Sequence, residues 1–160
     1  MTSPPRVYLD TSVYVAAMLA PEAVHSEVCV STLEQAERGE IEVLISALVI
    51  AEVVGAPPVR APQGLPRSVA LDRMPKAVSF FAASSFVYIE VGRREGLRAA
   101  EIARDHDMKG ADALHVAIAE LSGCKALYSL DNDQLKVTDQ IDGLKIQRPE
   151  GSDQPTLPFA

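Results

Sequence analysis

Four acids stand in surroundings that do not suit them. Asp10 closes the β-prone run Val7-Tyr-Leu9 and precedes the apolar Val13 to Leu19. Glu52 is the sole charge in Ala47-Leu-Val-Ile-Ala-Glu-Val-Val54, and Asp112 lies in Gly110-Ala-Asp-Ala-Leu-His-Val116. Asp131 follows Ala126-Leu-Tyr-Ser-Leu130, with Asp133 two residues later. Most of the 22 acids sit among polar neighbours and read as solvated surface. Three of the exceptions have an ordinary structural reading: Asp10 as an Asx turn, Asp112 as a helix cap or first-turn dipole acid, Asp131 as a cap. Glu52 resists one, because a carboxylate in an apolar helix is costly to bury without a partner. Carboxylates collected at one place repel each other, and that repulsion must be offset. No Lys or Arg lies beside Asp10, Glu52 or Asp131. A divalent cation is the natural counter-charge, and an all-oxygen donor set points to Mg²⁺ or Mn²⁺.

Other residues border these acids. The hydroxyls of Ser12 and Ser129 are placed to orient a carboxylate or a bound water, or to cap helices. His115 lies one helical turn after Asp112, where a supporting or packing role fits an oxygen-rich set better than metal ligation. Cys29 and Cys124 lie far apart, with no Cys/His cluster to suggest structural zinc and nothing that demands an oxidising compartment.

Helices and strands must bring the acids together. Arg6-Val-Tyr-Leu9, Ile41 to Ile45, Ser85 to Glu90, Lys125 to Ser129 and Leu144 to Gln147 read as strands. Between them the spacing predicts helices from Ser12 to Leu19, from Pro21 to about Arg38, from Ala47 to Val54 after a Ser46 N-cap, from Gly92 to His106, from Ala111 to Leu121 and from Asp131 to Val137. Strands alternating with helices define an α/β fold, a three-layer α/β/α sandwich whose mostly parallel central sheet has about five strands. Ligands in such folds bind beyond the carboxyl ends of the strands, where Asp10 and Asp131 fall. Residues 56–76 hold five of the eleven prolines and predict a long irregular loop, with at most a short helix after Ser68. One domain over residues 1–148 and a mobile tail over 149–160 complete the organisation.

Formal net charge is −7, which argues against a broad basic face for duplex DNA. The proline-rich segment runs the other way. Arg60, Arg67, Arg73 and Lys76 against Asp72 give it +3, leaving −10 on the remainder of the chain. These cations, with Arg93, Arg94 and Arg98 as a second group, are either phosphate contacts or a solvated connector. The run Val7 to Ala20 carries Asp10 and only Arg6 before it, which does not fit a secretion signal. No stretch is long and apolar enough to span a bilayer, so a cytoplasmic location is expected.

Four segments resemble the motifs of PIN-domain nucleases. They are Tyr8-Leu-Asp-Thr-Ser-Val13, Ser46-Ala-Leu-Val-Ile-Ala-Glu-Val53, Lys109-Gly-Ala-Asp-Ala-Leu-His-Val-Ala117 and Ser129-Leu-Asp-Asn-Asp-Gln-Leu135. They occur in the family's order over roughly residues 6–147. The resemblance implies that Asp10, Glu52, Asp112 and Asp131 form a catalytic, metal-binding set, with Asp133 as an auxiliary metal ligand. It further implies that Thr11, Ser12 and Ser129 support the site by hydrogen bonds. The activity implied is Mg²⁺- or Mn²⁺-dependent hydrolysis of RNA, leaving a 5′ phosphate. Small members resemble the toxin half of a toxin–antitoxin pair, which implies a small antitoxin partner, and the family often forms homodimers. Two departures stand out: Ser129 replaces the commoner Thr, and the stretch 56–76 is longer than in small toxin members. Two other readings compete. An inactive PIN-like scaffold would bind a partner and cleave nothing. A haloacid-dehalogenase-type phosphohydrolase would need Asp-x-Asp after the first strand, and this chain has Asp10-Thr11-Ser12.

Overall fold

The computed structural model describes residues 2–19 and 23–150. Its elements are β1 (Arg6–Leu9), α1 (Thr11–Met18), α2 (Ser26–Glu37), β2 (Glu42–Ser46), α3 (Ala47–Gly55), α4 (Pro57–Arg60) and α5 (Arg67–Ala83). They continue with β3 (Val87–Ile89), α6 (Arg93–His106), α7 (Gly110–Leu121), β4 (Ala126–Tyr128), α8 (Asn132–Leu135) and β5 (Lys145–Gln147). The strands are short runs of β-branched and aliphatic residues, and every residue of β1 after Arg6 is buried, as is every residue of β2 after Glu42. Burial of successive residues means that both faces of the sheet are covered, as a parallel sheet requires.

The five strands form one sheet in the order β3-β2-β1-β4-β5, and every neighbouring pair is parallel. The chain winds outward from β1 to β3, then returns past its start to β4 and β5. Right-handed crossovers in opposite directions put α1 to α5 on one face and α6 and α7 on the other. The strand order reverses between β1 and β4, where the backbone N–H of Asp10 donates to Tyr128 O at 2.9 Å. The carboxyl ends of these two strands form the crevice where this class of sheet binds ligands. Tyr8, Leu9, Leu44, Ile45, Leu127 and Ile146 are the large strand residues sealed inside, with Ile102 and Ile118 packed on them from α6 and α7. Arg98 on α6 clamps Glu120 on α7 through two bonds of 2.7 and 3.0 Å.

The proline-rich segment is a correction to the sequence reading. It is mostly helical, and the irregular part shrinks to residues 61–66. Pro57 and Pro58 open α4, and Pro66 immediately precedes α5. A missing N–H costs nothing at a helix start, so these prolines mark helices and do not break them. Pro75 lies inside α5 and withholds the bond that Leu71 O would otherwise accept. Leu71 is exposed, so water can satisfy that carbonyl. The second helix is shorter than expected: residues 23–25 turn, His25 takes a left-handed conformation and α2 starts at Ser26, while the expected first residue, Pro21, lies outside the described residues. The expected tail also lies outside them, apart from Pro149 and Glu150.

Leu127 sits fully buried in β4, paired with Tyr8 of β1 and Ile146 of β5. Leu127→Ala should lower unfolding stability by about 2–5 kcal/mol, read from the urea midpoint at unchanged slope.

Candidate metal-binding active site

Asp10 is carried to the switch point by β1 and held there by the start of α1. It is 5% exposed, so its carboxylate depends on protein donors. Oδ2 accepts from the Ser12 backbone N–H at 3.2 Å, from Ser12 Oγ at 2.7 Å and from Ser129 Oγ at 3.3 Å. Oδ1 accepts from Gln134 Nε2 at 3.3 Å. The capping and site readings of Asp10 are therefore one arrangement. The same serines stitch the ends of the two central strands together, since Ser12 Oγ accepts from Leu130 N–H at 3.0 Å while Ser129 reaches Asp10; Ser129 Oγ also accepts locally from Asp131 N–H at 2.9 Å. Asp131 in turn caps α8 by accepting from Asp133 N–H at 2.7 Å.

Asp112 reaches the crevice from the first turn of α7, whose N-cap residue is Lys109. The dipole reading of Asp112 stands and the cap reading falls. Asp112, Asp131 and Asp133 each present one oxygen within 4.8 Å of the others. Burial, and then repulsion from Asp131 and Asp10, pushes the Asp112 carboxyl above the usual aspartate range. Asp133 is exposed and held below that range by Lys136, 2.8 Å away.

Glu52 comes from α3 on another wall. Its Oε2 accepts from Thr11 Oγ1 and meets His115 Nε2, both at 2.6 Å. The His115 contact lowers the Glu52 carboxyl more than burial raises it, and the Thr11 bond lowers it further. Asp10, Thr11, Ser12, Glu52, Asp112 and Asp131 all line one open cavity of about 620 Å³, floored in part by Gly55, Ala56 and Pro57. The six residues come from four separated segments, and the cavity joins them. Asp133 joins the group through its own oxygen, within 4.8 Å of those of Asp112 and Asp131, and it does not line the cavity. An all-carboxylate donor set, with Asp112 repelled by its neighbours, suits a hard divalent cation.

The basic residues of the proline-rich segment behave differently. Arg60 Nε donates to Gly55 O at 2.6 Å and Arg73 Nη1 to Pro58 O at 2.7 Å, which braces α4 against α3 and α5. Lys76 pairs with Asp72 at 2.7 Å. Arg67 stands in the first turn of α5. None of the four lines the acidic cavity.

Two site residues were not legible in the sequence. Gln134 is fully buried and donates to both Asp10 Oδ1 and the Asp112 carbonyl, the latter at 3.4 Å. Its position three residues after Asp131 reads as a capping-box signal, and nothing in that spacing points at Asp10. Tyr8 looks like an ordinary strand aromatic, yet its hydroxyl lies 2.9 Å from Ser46 Oγ and 3.0 Å from His115 Nδ1. Ser46, expected to cap α3 with its side chain, makes this contact and no cap bond.

The fold and this rim of acids define the class. The chain belongs to the PIN domain family, whose model matches residues 7–140, and it is therefore a PIN-type nuclease by class. All four acidic motifs fall within the matched region. Mycobacterium tuberculosis VapC20, described as a sarcin-ricin loop cleaving toxin, has a similar fold: TM-score 0.59 at 19% identity, over 80% of this chain and 92% of that one. PAE2754 from Pyrobaculum aerophilum is similar at TM-score 0.56 and 19% identity, over 89% of this chain and 91% of that one. No curated protein matches the sequence. Among the described residues no helix is long and apolar enough to cross a membrane.

The raised Asp112 carboxyl has a consequence for stability. The folded state keeps this proton to higher pH than the unfolded state does, so a penalty appears as pH rises through the folded value. Asp112→Asn should therefore unfold at a higher temperature than wild type near neutral pH without metal. The difference should vanish at acidic pH, where both states of the wild type are protonated. Paired melting curves across that range read the effect.

Proposed function

We propose that the protein is a Mg²⁺- or Mn²⁺-dependent endoribonuclease, acting in the cytoplasm as the toxin of a toxin–antitoxin pair. The observation that carries this reading is the convergence of carboxylate oxygens of Asp112, Asp131 and Asp133 within 4.8 Å, with Asp112 and Asp131 in the crevice that Asp10 and Glu52 also line. Asp10, Glu52, Asp112, Asp131 and Asp133 would hold the cation. Bound there, a divalent cation lowers the pKa of water toward neutrality and offsets charge on the phosphate and the departing oxygen. The chain's own residues supply the positioning. Ser12, Ser129 and Gln134 fix both oxygens of Asp10, Ser129 holds the Asp131 backbone, and Thr11 holds Glu52. The open cavity suits a polymer that must enter and leave, and its floor joins the basic segment at Gly55 to Pro57.

The toxin role draws support from the shared fold with VapC20, and a small antitoxin partner follows from that role. A homodimer fits the exposed Leu71 and Val78, two helical turns apart on α5. The alternative of an inactive scaffold is disfavoured by the intact acid set, and the phosphohydrolase reading by the absence of a second acid at Ser12.

Asp10→Asn and Asp112→Asn should each lower RNA cleavage in Mg²⁺ or Mn²⁺ by at least about a hundredfold and leave circular dichroism unchanged. Full activity in both would sink the assignment. Millimolar Mn²⁺ should raise the wild-type melting temperature by mass action, and less in Asp131→Asn. If the basic segment meets the RNA backbone, Arg67→Ala should flatten the dependence of log affinity on log salt by about 0.7, one single-strand phosphate contact. An unchanged slope would leave that segment as a brace for α3.

A further inference from the structure

His115 is 1% exposed, and its two ring nitrogens face different things. Nδ1 meets the buried Tyr8 hydroxyl at 3.0 Å, and Nε2 meets Glu52 Oε2 at 2.6 Å. Asp10 Oδ1 is the next nearest acceptor to Nε2, at 3.6 Å, too far for a hydrogen bond. Glu52 Oε2 already accepts from Thr11, so Nε2 must carry the hydrogen. The Tyr8 hydroxyl can then donate to Nδ1, while Ser46 Oγ, buried at the end of β2, donates to the Tyr8 oxygen. That direction satisfies every group in the chain with one hydrogen each. Burial pushes the Tyr8 hydroxyl well above its ordinary pKa, so it remains a donor.

The consequence falls on Glu52. One oxygen is held twice, by α1 through Thr11 and by α7 through His115. Oε1 accepts from none of the described residues. His115 lies three residues after Asp112 on the same helix, so α7 sets both Asp112 and the anchor of the opposite wall. We propose that Tyr8 and His115 are positioning residues of the site: His115 Nε2–H, oriented by the Tyr8 hydroxyl, pins one oxygen of Glu52 and leaves the other for the cation. This rests on the reading of the crevice as a divalent-cation site.

The test joins three measurements on the full chain. Nitrogen-15 NMR of the metal-free wild type should show His115 protonated at Nε2 and bare at Nδ1, and Tyr8→Phe should mix the tautomers. Mn²⁺ titration by calorimetry, without RNA, should show affinity weakened about 10-fold in Tyr8→Phe and about 10–100-fold in His115→Leu. His115→Gln, which can return an amide N–H near the Nε2 position, should recover most of that loss, as a purely packing role would not allow. Tyr8→Phe is isosteric and keeps the test open should His115→Leu not fold. A protonated Nδ1 in the wild type, or wild-type Mn²⁺ affinity in Tyr8→Phe and His115→Leu, overturns the proposal. Absence of Mn²⁺ binding by the wild type overturns it together with the metal site. Weakened Mn²⁺ binding in the variants of a wild type that cleaves no RNA upholds the positioning role and overturns the ribonuclease reading alone.

Discussion

Like charge at the carboxyl end of a parallel sheet is the constraint around which this protein is built. Asp10 is nearly sealed, Asp112 and Asp131 lie beside it, and burial and repulsion together push the Asp112 carboxyl above its ordinary range. Among the described residues no buried Lys or Arg neutralises them; the lysines nearby, Lys109 and Lys136, are exposed. Side chains other than Lys and Arg carry the load inside: two serines, a threonine, a glutamine and a histidine. Such donors orient carboxylates without cancelling their charge, which leaves the negative potential available to a cation.

The topology explains why these donors are where they are. β1 and β4 are central and adjacent, and the order reverses between them, so their carboxyl ends bring Asp10 and Asp131 to one crevice. Ser12 and Ser129 then bond across the gap, each serving a side chain on one strand's end and a backbone group of the segment after β4. The helices on the two faces complete the crevice from opposite directions. α3 brings Glu52 from one layer and α7 brings Asp112 and His115 from the other, and the Glu52–His115 contact is where the two layers meet at the site. The polar path from Ser46 through Tyr8 to His115 runs through the core beneath it, so the site and the packing of β1 and β2 are one structure.

The proline-rich segment shows how position overrides composition. Counted by residue type, residues 56–76 look irregular. Three of their five prolines occupy helix starts, and a fourth is tolerated on an exposed turn of α5. Two of the arginines that looked free for phosphate are spent on backbone carbonyls, because the short α4 leaves carbonyls at Gly55 and Pro58 within their reach.

Local pattern was enough to determine the alternation of strands and helices, the parallel sheet, and the identity of Asp10, Glu52, Asp112 and Asp131 as acids out of place. Those conclusions rest on hydrophobic periodicity and on the cost of burying charge, both readable within a few residues. Which acids converge was beyond it. Asp112, Asp131 and Asp133 come together, while Asp10 is spoken for by Ser12, Ser129 and Gln134, and Glu52 by Thr11 and His115. Apart from Ser12, which is local to Asp10, the hydrogen bonds in those assignments span 41 to 124 residues of sequence, set by strand order and helix placement. Tyr8 had no local signal, and those at Ser46 and Gln134 pointed to helix caps, because a buried side chain's hydrogen-bond partner is chosen by whichever element packs against it, and only the folded chain makes that choice.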